Sequence, residues 1–149
     1  MGFEYDEKDV GILRLLDENA RMPYREIAKR VRMHPNTVIE RMKRMEEEGV
    51  IERYAPVLNY KKLGYGIIAI IQVDVEGDPH RVMKNIGKQS FVHYAYGTTG
   101  EYDGIVVVIC KDIEMLNSIT GEIAVVPGVQ RVNTKITLEQ FGGNGRLRL

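Results

Sequence analysis

Eight basic residues fall between Arg21 and Arg44 (Arg21, Arg25, Lys29, Arg30, Arg32, Arg41, Lys43 and Arg44), opposed only by Glu26 and Glu40. The chain of 149 residues is otherwise balanced, with 21 Lys+Arg and 21 Asp+Glu, so the excess is a local stripe. A basic stripe within a neutral chain is what contact with phosphates requires. Taken as charges alone, it also fits an ordinary solvated helical face. The stripe coincides with two short amphipathic stretches, Pro23 to Val31 and Pro35 to Met45, separated by Arg32-Met33-His34. Pro35 lacks a backbone donor and restrains His34, so one continuous helix is excluded and a new helix starts at Pro35. Helix, tight turn, helix is the layout of a motif that reads duplex DNA.

On a helical wheel, Val38, Met42 and Met45 share the face that packs inward. Asn36, Glu40, Lys43 and Arg44 point away, with Thr37 at the flank of the first turn. Asn36, Thr37 and Glu40 are therefore the candidate base readers, since Asn suits adenine and Glu accepts from cytosine. Lys43, Arg44, Arg25 and Arg53 have the character of phosphate anchors, which set register without reading sequence. Arg41 sits near the core edge, where pairing with a nearby carboxylate and contact with DNA are equally open. No other constellation carries chemistry. The three histidines (His34, His80, His93) lack metal-ligand spacing, and no Ser/His/Asp set, paired-cysteine motif or phosphate loop is present, so no catalytic residue, cofactor or metal is expected. Cys110 is the single cysteine and lies in an apolar run, as an inert buried thiol would.

Elements that would position these groups are readable along the chain. A helix over Asp9 to Asp17 carries Ile12, Leu13 and Leu16 on one face and opens on a carboxylate-rich turn that suits its dipole. Gly49 ends the third helix as a left-handed cap. Val50 to Leu58 is extended and could form a small wing. Residues 59–66 read as a linker. Ile67 to Val75 is β-branched, Asp78-Pro79 opens a helix with Val82, Met83 and Ile86 on one face, and Phe91 to Tyr96 is a second strand. Gly104 to Cys110 is a third strand, Asp112 caps a further helix, and Val129 to Leu138 is a fourth strand. This β-α-β-β-α-β order is a ferredoxin-like arrangement. The expectation is an α+β chain: a winged helix-turn-helix domain over 1–58, a linker over 59–66, a βαββαβ domain over 67–140 and a flexible tail over 141–149. Ile105 to Ile109 is apolar on both faces, although a lone sheet of this kind should wet one; the open face is expected to pack on a second copy in a homodimer. No apolar run approaches the roughly 18 residues that span a bilayer, and the acidic start has no secretory core, so a cytoplasmic protein is expected.

The chain resembles the Lrp/AsnC, or feast/famine, family through Glu26-Ile-Ala28, Val38 with Arg41, Glu46-Glu-Glu-Gly-Val-Ile51, Lys62-Leu-Gly-Tyr65 and Gly97-Thr-Thr-Gly-Glu-Tyr-Asp103. The resemblance covers about Asp6 to Leu138. It implies a transcription regulator built of dimers that often assemble into octamers, binding an amino acid or related metabolite between subunits. It also implies that Gly97, Thr98, Thr99, Gly100, Glu101, Tyr102, Asp103 and Thr134 line the effector site. By itself the 97–103 segment is a strand-to-strand turn. Exposed amides near Gly97 and Gly100 would hold a carboxylate, and Asp103 an ammonium. Pro23 and His34 depart from the Ser or Thr usual in the family near the two helix starts. A cap by the His34 side chain and contact of His34 with DNA both stay open. Two rivals share the plan: a siroheme-decarboxylase-like enzyme holding a tetrapyrrole near His93, and a DNA-packaging protein of low selectivity.

Overall fold

The computed structural model describes residue 2 and residues 4–141. The tail expected over 141–149 lies, apart from residue 141, outside them. The chain divides into two compact units, the first ending at Val57 and the second spanning Leu58–Phe141. Among the described residues no helix is long and apolar enough to cross a membrane.

The first unit holds three helices, α1 (Glu7–Glu18), α2 (Tyr24–Val31) and α3 (Pro35–Glu47). Their apolar faces bury Ile12, Leu16, Ile27, Ala28, Val31, Val38, Met42 and Met45 in one core. Local chemistry sets each boundary. Asp6 caps α1 in a reciprocal box with Asp9. The turn between α2 and α3 passes through Arg32, which adopts the left-handed region at φ 53°. The Lys8 ammonium donates to the Val31 carbonyl at 2.8 Å, satisfying one of the carbonyls left over at the end of α2. His34 accepts from the Asn36 N–H through its Nδ1 at 3.3 Å, and Pro35 occupies the first helical position of α3. Beyond α3, Gly49 takes φ 71°, which favours glycine there.

The expected wing is absent as a sheet. Residues 52–59 form no strand and pair with no strand of the described residues. What fixes this stretch near its start is Tyr54, whose hydroxyl donates to Glu46 Oε1 at 2.6 Å. Within the segment read as a linker, Tyr60–Leu63 form a 3-10 turn capped by Asn59.

The second unit runs β1 (Ile67–Val75), α4 (Pro79–Ile86), β2 (Val92–Gly97), β3 (Gly104–Cys110), α5 (Ile113–Ala124) and β4 (Val129–Ile136). The four strands are antiparallel in the order β2-β3-β1-β4. Asp78 and Asp112 cap the two helices as expected, each accepting from a backbone N–H. Alternation then sorts the strands. Ala69, Ile71, Val73, Val106, Val108 and Cys110 face α4 and α5 and are buried with Val82, Met83, Ile86, Leu116, Ile119 and Ile123. Gly104 sits so close to the Met83 thioether that a Cβ there would collide with it.

The opposite sheet face carries Ile68, Ile70, Ile105, Val107 and Ile109, all half-buried, in the cross-strand rows Ile70–Val107 and Ile68–Ile109. Tyr94 and Tyr96 stack along its β2 edge at 5.9 Å. Gln72 lies in the middle of this face, and its Oε1 is buried without a partner among the described residues.

Candidate functional site

The outward face of α3 is built from inside. Asp9 on the first turn of α1 is fully buried. Its Oδ1 accepts from Arg41 Nη1 and its Oδ2 from Arg44 Nη2, each at 2.9 Å. Asp6 adds both its oxygens to Arg41 Nη1 at 2.8 Å. A buried carboxylate is tolerable only when paired and hydrogen-bonded, and two guanidiniums from one helix meet that demand. The Asp9 backbone N–H, then the Arg41 guanidinium, hold the Asp6 carboxyl below the usual carboxylate range. The Asp9 and Asp6 carboxylates in turn hold Arg41 in its charged form. Arg41 therefore makes the carboxylate pairing, one of its two expected roles. Arg44 is corrected in part: expected as a surface anchor pointing away, it gives one nitrogen to Asp9 while its side chain stays half exposed.

What remains outward on α3 is Asn36, Glu40 and Lys43, all exposed, with Thr37 half-buried at the flank. Lys43 reaches Glu47 at 3.5 Å across one turn. Sequence reasoning missed Ile39, a 41% exposed aliphatic side chain on this face. The wheel sets it beyond the inward stripe, and that was its only signal. Arg25 is exposed on the first turn of α2, and Arg53 is exposed in the extended segment after α3. His34 caps α3 through its Nδ1 and is itself exposed. Burial, then the Glu46 carboxylate, push the Tyr54 hydroxyl up, so it stays a donor to that group.

In the second unit the loop from Gly97 to Asp103 is closed by its own bonds. The Thr98 N–H donates to the Asp103 carbonyl at 2.9 Å, and Thr98 Oγ1 to the Tyr102 carbonyl at 2.8 Å. Gly100 takes φ 115°, and Thr99 and Glu101 are exposed. Asp103 Oδ2 accepts from the Val75 N–H at 2.8 Å, so this carboxylate clamps the loop to the end of β1. Two β4 side chains missed by sequence reasoning reach the loop. Asn133 donates to the Tyr102 hydroxyl at 3.1 Å, while Arg131 lies 4.9 Å over the Tyr102 ring and pairs with Asp74 and Glu101. Thr134 is not brought to the loop by any such bond. It lies on the helix-facing side of β4 and shares a hydrogen bond with Thr120 on α5 at 3.3 Å. His93 sits at a bulge in β2, edge-on to Tyr60 and Tyr94. Among the described residues no group of three or more His, Cys, Asp or Glu could hold a metal ion.

Comparison with known proteins gives these two units their class. Residues 5–52 match the family model for winged helix-turn-helix DNA-binding, and residues 68–147 match that for the Lrp/AsnC ligand binding domain. An uncharacterized HTH-type transcriptional regulator of Pyrococcus furiosus is 39% identical, over 91% of this chain and 93% of its own. The structure of Escherichia coli AsnC aligns at a TM-score of 0.83 with 29% identity, covering 93% of this chain and 95% of that one. A Neisseria meningitidis transcriptional regulator, solved as a complex with L-Met, shares the fold at a TM-score of 0.88, 24% identity and 97% coverage of both chains. The chain belongs to the Lrp/AsnC family: it is a DNA-binding helix-turn-helix transcription regulator with a ligand-binding domain.

Asp9→Asn removes the buried acceptor of two charge-assisted bonds, while Arg44 reaches solvent and Arg41 keeps Asp6, so the variant should cost about 1.5–3 kcal/mol in denaturant unfolding of the full chain. The Asp6 carboxyl is lowered in the folded state, so its contribution is complete above the unfolded value of about 3.9 and is lost as pH falls through the folded value. Thermal unfolding between about pH 7 and pH 3 should therefore decline less steeply for Asp6→Asn than for the parent chain.

Proposed function

We propose that the protein regulates transcription in the cytoplasm by setting α3 into the major groove of a roughly palindromic site, as a homodimer, with an amino acid modulating that binding. The observation that carries the DNA reading is the outward face of α3. Its polar and aliphatic side chains are free of the core, and the Asp9 pairs fix the helix beneath them. Asn36 and Glu40 supply hydrogen-bonding groups for adenine and cytosine edges, and Ile39 an apolar contact of the kind a thymine methyl accepts. Lys43, Arg25, Arg53 and the exposed side of Arg44 supply phosphate contacts.

The effector reading is supported by family membership and by the loop from Gly97 to Asp103, in which Gly97, Thr99, Gly100 and Glu101 are exposed and Thr98 holds the loop closed. The L-Met complex of the Neisseria relative points to the same class of ligand. Tyr102, Arg131 and Asn133 would bias its choice, Asp103 would act through its remaining oxygen, and Thr134 would act from the helix side. The dimer reading rests on the half-buried aliphatic face of the sheet and on Gln72, whose buried oxygen lacks a donor among the described residues. A second copy packed on this face would remove the aliphatic rows from water. Assembly of such dimers into octamers is the further expectation that family membership raises.

Selection of bound duplexes from a random library, with and without an amino-acid mixture, tests the regulator reading. A palindromic consensus is expected, its enrichment shifting with amino acids. Asn36→Ala should lose preference at one position of each half-site, while Lys43→Ala should weaken all duplexes alike and flatten the salt dependence by about one unit. No consensus at moderate salt would leave a packaging role or an enzyme on this fold. Sedimentation of Val107→Lys tests the dimer: a charge in the aliphatic face should yield monomers that keep their far-ultraviolet dichroism. A dimer unchanged by this substitution would move the interface elsewhere.

A further inference from the structure

Asp6 carries more charge than its structural duty needs. It caps α1 by accepting from the backbone N–H groups of Lys8 and Asp9 at 2.8 and 2.9 Å, a task that neutral Asn or Ser performs equally well. Arg41 already has a fully buried partner in Asp9. Yet both Asp6 oxygens lie 2.8 Å from the same Arg41 nitrogen, and the pair meets solvent, with Asp6 53% and Arg41 26% exposed. The result is an anion presenting two oxygens to a guanidinium on the recognition helix, as a backbone phosphate would.

We propose that Asp6 is an intramolecular stand-in for a DNA phosphate, which occupies the outer side of Arg41 in the free protein and gives it up to the duplex on binding. The proposal rests on the reading of α3 as the recognition helix. Asp9 keeps its own bond to Arg41 throughout, so the exchange needs no movement of the helix. A phosphate that approaches Arg41 must displace or face one carboxylate, so Asp6 weakens binding to every duplex. Phosphate contacts do not read bases, so discrimination between sequences is left intact. The carboxyl is held below the usual range by the Asp9 N–H and by Arg41, which keeps this brake charged at neutral pH.

The experiment is a fluorescence anisotropy titration of labelled duplexes with the full chain across roughly 50–200 mM salt. The parent is compared with Asp6→Asn, Asp6→Ser and Glu4→Gln. The first two keep a capping oxygen and remove the charge. The third removes an equal charge from an exposed residue of the same segment that is not an ion partner of Arg41. Both Asp6 variants should bind a random duplex about two- to fivefold more tightly at low salt, the range an exposed ion pair supports. Their log–log salt slope should steepen by up to about one unit. Glu4→Gln should show neither change, and the ratio between selected and random duplexes should hold in all four proteins. The proposal is overturned if folded Asp6 variants bind no more tightly than the parent, or if Glu4→Gln gains as much. Failure of the parent itself to bind any duplex would instead remove the recognition helix, and the proposal with it.

Discussion

A carboxylate taken wholly out of water is among the costliest groups a small domain can hold, and Asp9 is such a group in the core of the first unit. Everything that makes this unit a reader of DNA follows from how that cost is met. The compensation comes from Arg41 and Arg44, one turn apart on α3, so the helix that faces outward is held by charge as well as by Val38, Met42 and Met45. Apolar packing alone is non-directional and would leave α3 some freedom to rotate about its axis. Two hydrogen bonds from one helix to two oxygens of one carboxylate remove most of that freedom. The orientation of Asn36, Ile39, Glu40 and Lys43 is held by an interaction at the flank of the helix.

The helix termini extend the same logic. Three helix ends find a nearby side-chain partner: Asp6 for the start of α1, the Lys8 ammonium for the last turn of α2, and the His34 imidazole for the first turn of α3. His34 shows that the absence of a Ser or Thr at this position is made good by a ring nitrogen. Arg32 is the exception to easy geometry. A side chain held at φ 53° costs more than glycine would in the same turn, so the tight connection between the helices is maintained by its neighbours.

Much of the architecture was legible because its signals are local. Asp78-Pro79, Asp112 and Gly49 mark element boundaries through bonds spanning only a few residues, and the β-branched runs declare their strands. Two features were not legible, for a common reason. A carboxylate in the first turn of a helix already has a sufficient local explanation in the helix dipole, so nothing about Asp9 announced partners 32 and 35 residues away. Arg131 and Asn133 likewise alternate along an ordinary edge strand, and only the sheet register carries them to Tyr102. The Val50–Leu58 segment, expected to be extended and able to form a wing, holds no strand over residues 52–59. Its composition allows a strand, but a strand needs a partner, and none of the described residues pairs with it.

The two outer strands of the second unit carry a further consequence. On β2 the register slips by one residue at His93, so the edge is kinked where another strand would have to align. On β4 the register shifts near Asp74 and Val75, and Arg131 and Lys135 place two charges along the strand. Irregular or charged edges are the usual safeguards against sheets growing sideways from one molecule into the next. A sheet this rich in isoleucine and valine would otherwise be a hazard during synthesis, when its strands first emerge. Its borders make lateral polymerisation unfavourable, and the chain can carry an exposed aliphatic surface without the fibrous fate such surfaces invite.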